Sequence, residues 1–283
     1  MAGFVTRFAP SPTGPLHLGH AFSALLGFDM AQAAAGRFLL RIEDIDQSRS
    51  RPAWEAQIYD DLRWLGIAWE TPVMRQSDRM PAYQAALDDL WVRGLLYPCS
   101  CTRRDIEQAL SAPQEGVAHA HGPDGPVYPG TCRHRPRGPR PRDAVLRLNM
   151  AAALEICGET RFTETAPELA RTITTPAQDY LQGIGDIVLA RREMGTSYHL
   201  SVVIDDAAQG ISHVVRGADL FEATRIHILL QRLLGLPQPV YHHHRLIRDD
   251  SGKRLAKRDD ARALAKYRAE GAAPADIRQM VGL

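Results

Sequence analysis

Two histidines framing a leucine and a glycine, His17-Leu18-Gly19-His20, form a constellation suited to gripping phosphate. Two imidazoles on one turn can donate hydrogen bonds to phosphate oxygens as charge builds up in a transition state. Gly19 would let a bulky ligand approach the backbone closely. Far along the chain, Gly252-Lys253-Arg254-Leu255-Ala256-Lys257-Arg258 offers several cations that can neutralise a departing pyrophosphate. A third group has another chemistry. Cys99, Cys101 and Cys132 fall in one stretch, with Tyr128 close to the last, while Cys157 stands apart. Clustered thiolates in a reducing compartment favour a structural metal over disulfides, and zinc wants four ligands. Composition nominates His134, His119 or His121 for the fourth position. Arg133, Arg135, Arg137, Arg140 and Arg142 follow at once, as a track for a phosphate backbone or as a solvated loop.

These groups need elements to hold them. Phe4-Val5-Thr6-Arg7-Phe8-Ala9 reads as a short strand, closed by Pro10-Ser11-Pro12-Thr13-Gly14-Pro15, and an alanine-rich apolar helix is expected from Leu18 to about Ala35. The histidine pair then sits at a helix N-terminus, where free N–H groups and the helix dipole favour an anion. Arg37-Phe38-Leu39-Leu40-Arg41-Ile42 predicts a second strand running into Glu43-Asp44-Ile45-Asp46. Helical patterns cover Pro52 to Leu65 and about Met80 to Gly94. Strand and helix in alternation predict a parallel, doubly wound sheet with ligands at the strands' C-terminal ends.

From about Tyr97 to Arg142 glycine and proline accumulate and no period persists, so the stretch requires a staple or a function. Alternating texture returns at Leu200-Ser201-Val202-Val203-Ile204, running into Asp205-Asp206, and a helical pattern spans Leu220 to Leu234. His242-His243-His244 reads as partly buried strand and loop. The expected class is therefore α/β: a doubly wound parallel, Rossmann-like nucleotide-binding sheet split by a zinc-stapled insertion, with a short, mostly helical C-terminal tail. The expected divisions are 1–96 and 191–245 for the halves of the catalytic domain, 97–190 for the insertion and 246–283 for the second phosphate loop and tail.

Bulk properties exclude several classes. The 283 residues are 45% hydrophobic and 24% charged, ordinary for a globular protein. No run approaches the ~18 apolar residues of a membrane span. The N-terminus lacks a basic stretch followed by an apolar core, so a cytoplasmic location is expected and no membrane partner. A net charge of +1 gives no global pull toward nucleic acid, so RNA contacts would be local.

Taken in order, the motifs resemble class I aminoacyl-tRNA synthetases of the glutamyl type. Arg7-Phe8-Ala9-Pro10-Ser11-Pro12-Thr13-Gly14 followed by His17-Leu18-Gly19-His20 is similar to the family's first signature. Leu40-Arg41-Ile42-Glu43-Asp44-Ile45-Asp46, Val202-Val203-Ile204-Asp205-Asp206 and Val215-Arg216-Gly217-Ala218-Asp219-Leu220 match later blocks. Arg254-Leu255-Ala256-Lys257-Arg258 occupies the second phosphate motif, with Arg254 and Ala256 departing from its usual lysine and serine. The chain ends soon after that motif, leaving no room for the family's large anticodon-binding region. The Cys99, Cys101, Tyr128, Cys132 pattern also resembles the zinc site of the truncated glutamyl-Q tRNA(Asp) synthetases.

That resemblance implies ATP-dependent activation of L-glutamate without tRNA, then transfer to queuosine in the anticodon loop of tRNA(Asp), by a monomer. It places His17, Gly19, His20 and Lys257 on ATP, whose phosphates carry Mg²⁺, with His17, His20 and Lys257 catalytic. It places Arg7, Phe8, Ala9, Pro10, Ser11, Glu43, Tyr198 and Arg216 around glutamate, and makes Tyr128 the fourth ligand of one structural Zn²⁺. A guanidinium suits a carboxylate because it grips it bidentately. The rival expectations are a minimal glutamyl-tRNA synthetase charging a tRNA 3′ end, another nucleotidyltransferase, and a catalytically silent tRNA-binding module.

Overall fold

The computed structural model describes residues 3–111, 121–134, 138–248 and 262–283. The chain opens with β1 (Val5–Phe8), α1 (Leu18–Ala33), β2 (Arg37–Ile42), α2 (Pro52–Trp64) and β3 (Glu70–Arg75). These three strands pair in parallel in the order β1-β2-β3, with Val5 opposite Arg37 and Leu39 opposite Glu70. The run Phe38, Leu39, Leu40, Arg41, Ile42 is buried on both faces, as a parallel strand covered by helices must be. The α1 helix lays Ala21, Ala24 and Leu25 on this sheet. The sequence pattern foresees β1, α1, β2 and α2 closely; β3, a largely exposed strand interrupted by Pro72, gives no apolar run to read.

A 3₁₀ turn, Gln76–Arg79, leads to α3 (Met80–Val92), β4 (Leu96–Cys99) and α4 (Arg103–Ser111). A hairpin of β5 (His121–Gly122) and β6 (Gly125–Pro126) precedes β7 (Val145–Leu148), α5 (Met150–Cys157), β8 (Thr160–Glu164), β9 (Arg171–Thr175), α6 (Ala177–Gly183) and β10 (Val188–Ala190). Strands β10, β7 and β4 form a separate antiparallel sheet. Residues 160–175 lie inside the stretch expected as an insertion, yet β8 pairs in parallel with a later strand, Glu164 facing Tyr241. The irregular stretch after Tyr97 thus contains short elements whose glycines and prolines hide them from periodicity.

The chain closes with α7 (Tyr198–Ala208), β11 (His213–Gly217), α8 (Ala223–Leu233), β12 (Val240–His244), α9 (Leu264–Ala269) and α10 (Pro274–Val281). The apolar run Leu200 to Ile204 is helical. Ser197 caps it by accepting from Leu200 N–H, and Leu200, Val202 and Val203 all enter the core. Strands β11 and β12 pair in parallel, Arg216 opposite His243. Ser212 ties β11 to β1: Val5 N–H donates to its hydroxyl at 2.8 Å, and its own N–H donates to Val5 C=O at 3.0 Å. The C-terminal ends of β1, β2, β11 and β12 therefore gather at one edge, beside the N-terminus of α1. At the other end of the chain, α10 grips α1 through a fork from Arg278 to Asp29, at 2.7 and 2.9 Å.

Candidate active site

His17 is the N-cap of α1. Its Nδ1 accepts from Gly19 N–H at 3.1 Å, and His20 Nδ1 accepts from His17 N–H at 3.2 Å. The two rings lie 3.8 Å apart between centroids. This is a capping box built from imidazoles instead of the usual hydroxyl and carboxylate. Because each Nδ1 accepts, each neutral ring carries its proton on Nε2. Gly19 also serves the cap itself. A Cβ there would meet the His17 ring at 3.0–3.1 Å, so the missing side chain makes room for the cap.

The histidines line a cavity of about 410 Å³ at the strand ends. Arg7, Phe8, Ala9, Pro10, Ser11, Gly19, Glu43, Tyr198 and Arg216 line it too, so every described residue expected at the substrate or phosphate positions faces one space. Lys257 lies outside the described residues, as does the whole run Gly252 to Arg258. The chain returns close by, since Ala263 bridges His17 and Leu264 N–H donates to Leu16 C=O at 2.8 Å. Opposite the histidines, Gly217 permits a tight turn after β11, where a Cβ would fall 2.5 Å from Asp219 Oδ1.

The floor is an ionic network. Asp206 accepts from Arg7 Nε at 2.9 Å and Nη2 at 3.3 Å, and from Arg41 Nη1 at 2.7 Å. Arg41 is wholly buried and also donates to Gln209 Oε1 and to Glu43 Oε1, the latter at 3.1 Å. Burial opposes charge on Asp206, but the two guanidinium groups prevail and hold its carboxyl below the usual range. At Glu43 the balance reverses: burial raises its pKa despite Arg41 and Arg7. Arg7 has Nε and Nη2 committed to Asp206, so it addresses the cavity through Nη1.

Arg216 is held between two histidines. Its Nε donates to His243 Nε2 at 3.2 Å, its Nη1 to His227 Nδ1 at 3.1 Å, and its Nη2 to Thr224 Oγ1 at 2.7 Å and Leu220 C=O at 3.3 Å. One N–H on Nη1 is left to point elsewhere. His243 Nδ1 makes a very short hydrogen bond to Glu164, and His227 Nε2 meets His199 Nδ1 at 3.1 Å. Burial first, then Arg216 beside it, holds the His227 pKa well below its ordinary 6.5. His243 is lowered as well, with burial outweighing its Glu164 partner. Arg41, Asp206, Glu164, His227 and His243 went unassigned in the sequence. The signal available for Arg41 was a charged residue inside an apolar strand, which a buried strand tolerates only with a partner.

A third cluster lies away from the cavity. The sulfur atoms of Cys99, Cys101 and Cys132 all lie within 4.8 Å of one another. The Tyr128 hydroxyl is 3.4 Å from Cys99 Sγ and 3.3 Å from Cys101 Sγ, and accepts from Cys132 N–H at 3.0 Å. A tetrahedron with bonds near ~2.3 Å to sulfur has edges of about 3.8 Å, close to this spacing. Hydrogen bonds, Tyr128 foremost, overcome burial and lower the Cys132 thiol to about 6, so one ligand is ready to bind as thiolate. His121 pairs in the β5–β6 hairpin and no described histidine joins the group, while His119 lies outside the described residues. Arg133 pairs with Asp186, and Arg140 and Arg142 with Asp88, so these three neutralise the protein's own carboxylates instead of forming an open cationic track.

Comparison with known proteins agrees with this geometry. The chain matches the family of tRNA synthetases class I (E and Q), catalytic domain, over residues 4–283. It is 66% identical over 285 residues to a glutamyl-Q tRNA(Asp) synthetase of Rhodobacter capsulatus, covering 99% of this chain and 100% of that one. A protein of the same name from Nocardia farcinica is 42% identical, with 97% and 82% covered. The solved glutamate tRNA ligase of Elizabethkingia meningosepticum superposes with a TM-score of 0.76 at 26% identity. That match covers 99% of this chain but 60% of the ligase, so the chain spans about three-fifths of the solved enzyme. No helix among the described residues is long and apolar enough to cross a membrane. Histidine cap, arginine-lined floor and family match agree: the chain belongs to the class I tRNA synthetases of the E and Q group.

Proposed function

We propose that the chain activates L-glutamate with ATP, without tRNA, and passes the glutamyl group to queuosine in the anticodon loop of tRNA(Asp). The observation that carries this reading is the shared cavity, which His17 and His20 line together with Arg7, Glu43, Tyr198 and Arg216. The names borne by the relatives from Rhodobacter capsulatus and Nocardia farcinica support the same acceptor.

In the first step the glutamate α-carboxylate attacks the α-phosphate of Mg²⁺-ATP in line, and pyrophosphate leaves. The Nε2–H groups of His17 and His20 aim at the phosphate oxygens from a helix N-terminus, a preorganised field that needs no reorganisation during reaction. Lys257 balances the pyrophosphate side. Arg7 Nη1 and the remaining Arg216 Nη1–H bind the two carboxylates, and Glu43 receives the α-ammonium. No protein nucleophile takes part, so positioning and electrostatics supply the rate. Cys99, Cys101, Tyr128 and Cys132 would hold a Zn²⁺ ion, which would staple the strand β4 to the loop after β6, a structural task.

Two assays test the proposal. Labelled glutamate, ATP and tRNA(Asp) should give labelled RNA only when queuosine is present; label on unmodified tRNA would favour 3′-end charging. Lys257→Ala should abolish glutamate-dependent ATP–pyrophosphate exchange, and near-parental exchange would remove Lys257 from the mechanism.

A further inference from the structure

The β5–β6 hairpin belongs to the irregular stretch after Tyr97, outside the catalytic strands, yet it is docked closely. A Cβ on Gly122 would fall 2.2 Å from Gly183 C=O, and one on Gly185 would fall 2.7 Å from Val127 Cγ1. Only glycine permits either approach. The turn between the two strands is Pro123-Asp124, closed by Gly125 at φ +105°. Strands of two residues each add little core of their own, so the tight docking serves what the turn carries.

The turn carries Asp124 to His199. One carboxylate oxygen lies 3.7 Å from His199 Nε2, long for a hydrogen bond but close for a charge beside an N–H dipole. Burial opposes the charge on Asp124, but His199 first, then Arg191 and Arg147, hold its carboxyl below the usual range.

From His199 the contacts run inward without a gap. His199 Nδ1 meets His227 Nε2 at 3.1 Å, and His227 Nδ1 meets Arg216 Nη1 at 3.1 Å. The guanidinium end can only donate, so His227 carries its hydrogen on Nε2, and His199, accepting it, does likewise. That last hydrogen points at Asp124. Arg216, His227, His199 and Asp124 thus form one row of donors directed from the first cavity outward to a carboxylate, and each bond in such a row polarises the next. On the other flank of Arg216 the pattern repeats with one ring fewer, through His243 to Glu164.

We propose that Asp124 is a positioning residue for glutamate: through His199 and His227 it sets the direction of the Arg216 N–H that meets a substrate carboxylate. The proposal rests on the reading of Arg216 as a glutamate-binding residue. Asp124 itself touches no substrate in this role. Without its charge, His199 is free to take its other tautomer, whose Nδ1–H opposes the Nε2–H of His227. The His227 ring then turns, and Arg216 loses an acceptor. The hairpin between the catalytic strands thereby takes part in choosing the amino acid. Were Asp124 only a partner for Arg191 and Arg147, its loss would reach stability and leave the amino acid untouched.

The test is glutamate-dependent ATP–pyrophosphate exchange by the full-length protein, with no RNA present. The Asp124 side chain is 32% exposed, so Asp124→Ala should fold as the parent does. It should raise KM for glutamate about fivefold while KM for ATP and kcat stay within about twofold. In a His227→Phe background, where the row is already cut, the same substitution should add less than about twofold. An unchanged KM for glutamate overturns the proposal, as does a rise in both KM values together or a full fivefold effect in the His227→Phe background. Should the double variant fail to fold, the split between the two KM values in Asp124→Ala decides alone. Arg216→Lys separates the two levels of the reading. A parental KM for glutamate in Arg216→Lys removes Arg216 from the site and the proposal with it. A raised KM there, beside a parental one in Asp124→Ala, removes Asp124 alone.

Discussion

His227 accepts a hydrogen bond from Arg216 through Nδ1, at 3.1 Å, and that contact decides where the proton of its ring resides. An arginine only donates, so Nδ1 must keep its lone pair and Nε2 must carry the hydrogen toward His199. The same logic fixes His243, whose Nε2 accepts from Arg216 while Nδ1 faces Glu164. Two neutral histidines thus orient one guanidinium. His227→Phe should raise KM for glutamate in the exchange assay about tenfold, because a buried N–H of Arg216 loses its acceptor. His227→Asn, which can still accept, should recover part of the loss. An unchanged KM in the phenylalanine variant would show that Arg216 is oriented without it.

These histidines also make the fold sensitive to acid. Burial, and Arg216 beside them, hold His227 and His243 below the ordinary 6.5. Unfolding releases them to bind protons, so their contribution is complete above about pH 6.5 and is lost as the pH falls through the folded values. Thermal melts should be level from pH 7 to 8 and decline below 6.5. His227→Gln should make the decline shallower; an identical slope would exclude His227 as a source.

Asp206 joins Arg7 to Arg41 in the floor of the cavity. Asp206→Asn leaves Arg7 without its carboxylate and Arg41 with Glu43 alone in a buried site, and should destabilise the fold by about 3–5 kcal/mol. Urea denaturation measures it. A loss under 1 kcal/mol would mean that water reaches the pair.

The histidine cap separates folding from chemistry. Asparagine is among the best N-cap residues, so His17→Asn should keep the helix start and change stability by less than about 1 kcal/mol. It removes the Nε2–H aimed at phosphate, however, and should lower kcat for exchange by about 10²–10³. Equal losses of stability and rate would show that the cap is the whole role.

Zinc content tests the cysteine cluster. Cys132→Ser should purify with on the order of tenfold less zinc than the parent, whereas Tyr128→Phe keeps three thiolates and should retain the ion but release it faster to a chelator. Emission spectroscopy of the purified protein reads both. Parental zinc in Cys132→Ser would place the metal elsewhere.

How much of this could be read in the chain follows from what each feature needs. β1, α1 and β2 carry their own signals, a proline stop after the first strand and a largely apolar strand, broken by Arg41, before Glu43. Around the first cavity, the segment from Arg7 to His20 and Glu43 lie at strand ends that local pattern marks, whereas Tyr198 and Arg216 were reached only through the family resemblance. β8 and β9 were not legible, because β8 is placed by pairing with β12, about 75 residues away in the chain, and β9 only by pairing with β8. The Arg216 network is hidden for the same reason. It joins Glu164, Thr224, His227 and His243 from three elements to Arg216 on a fourth, and nothing in the spacing of isolated histidines distinguishes a core acceptor from a solvated ring.

Arg7 and Arg41 meet Asp206, and Arg41 also meets Glu43, whereas Arg216 reaches a carboxylate only through histidines, the shortest path being His243, which bonds Glu164. Three guanidinium groups are thus matched by these three carboxylates, but among the described residues Arg216 touches only neutral acceptors. A substrate carboxylate that reaches it gains a direct ion pair that the empty site does not supply. Glutamine has the same length and nearly the same shape as glutamate but offers that guanidinium a neutral amide. Discrimination between the two amino acids then resides in a guanidinium whose counter-charge the substrate brings, more than in fit.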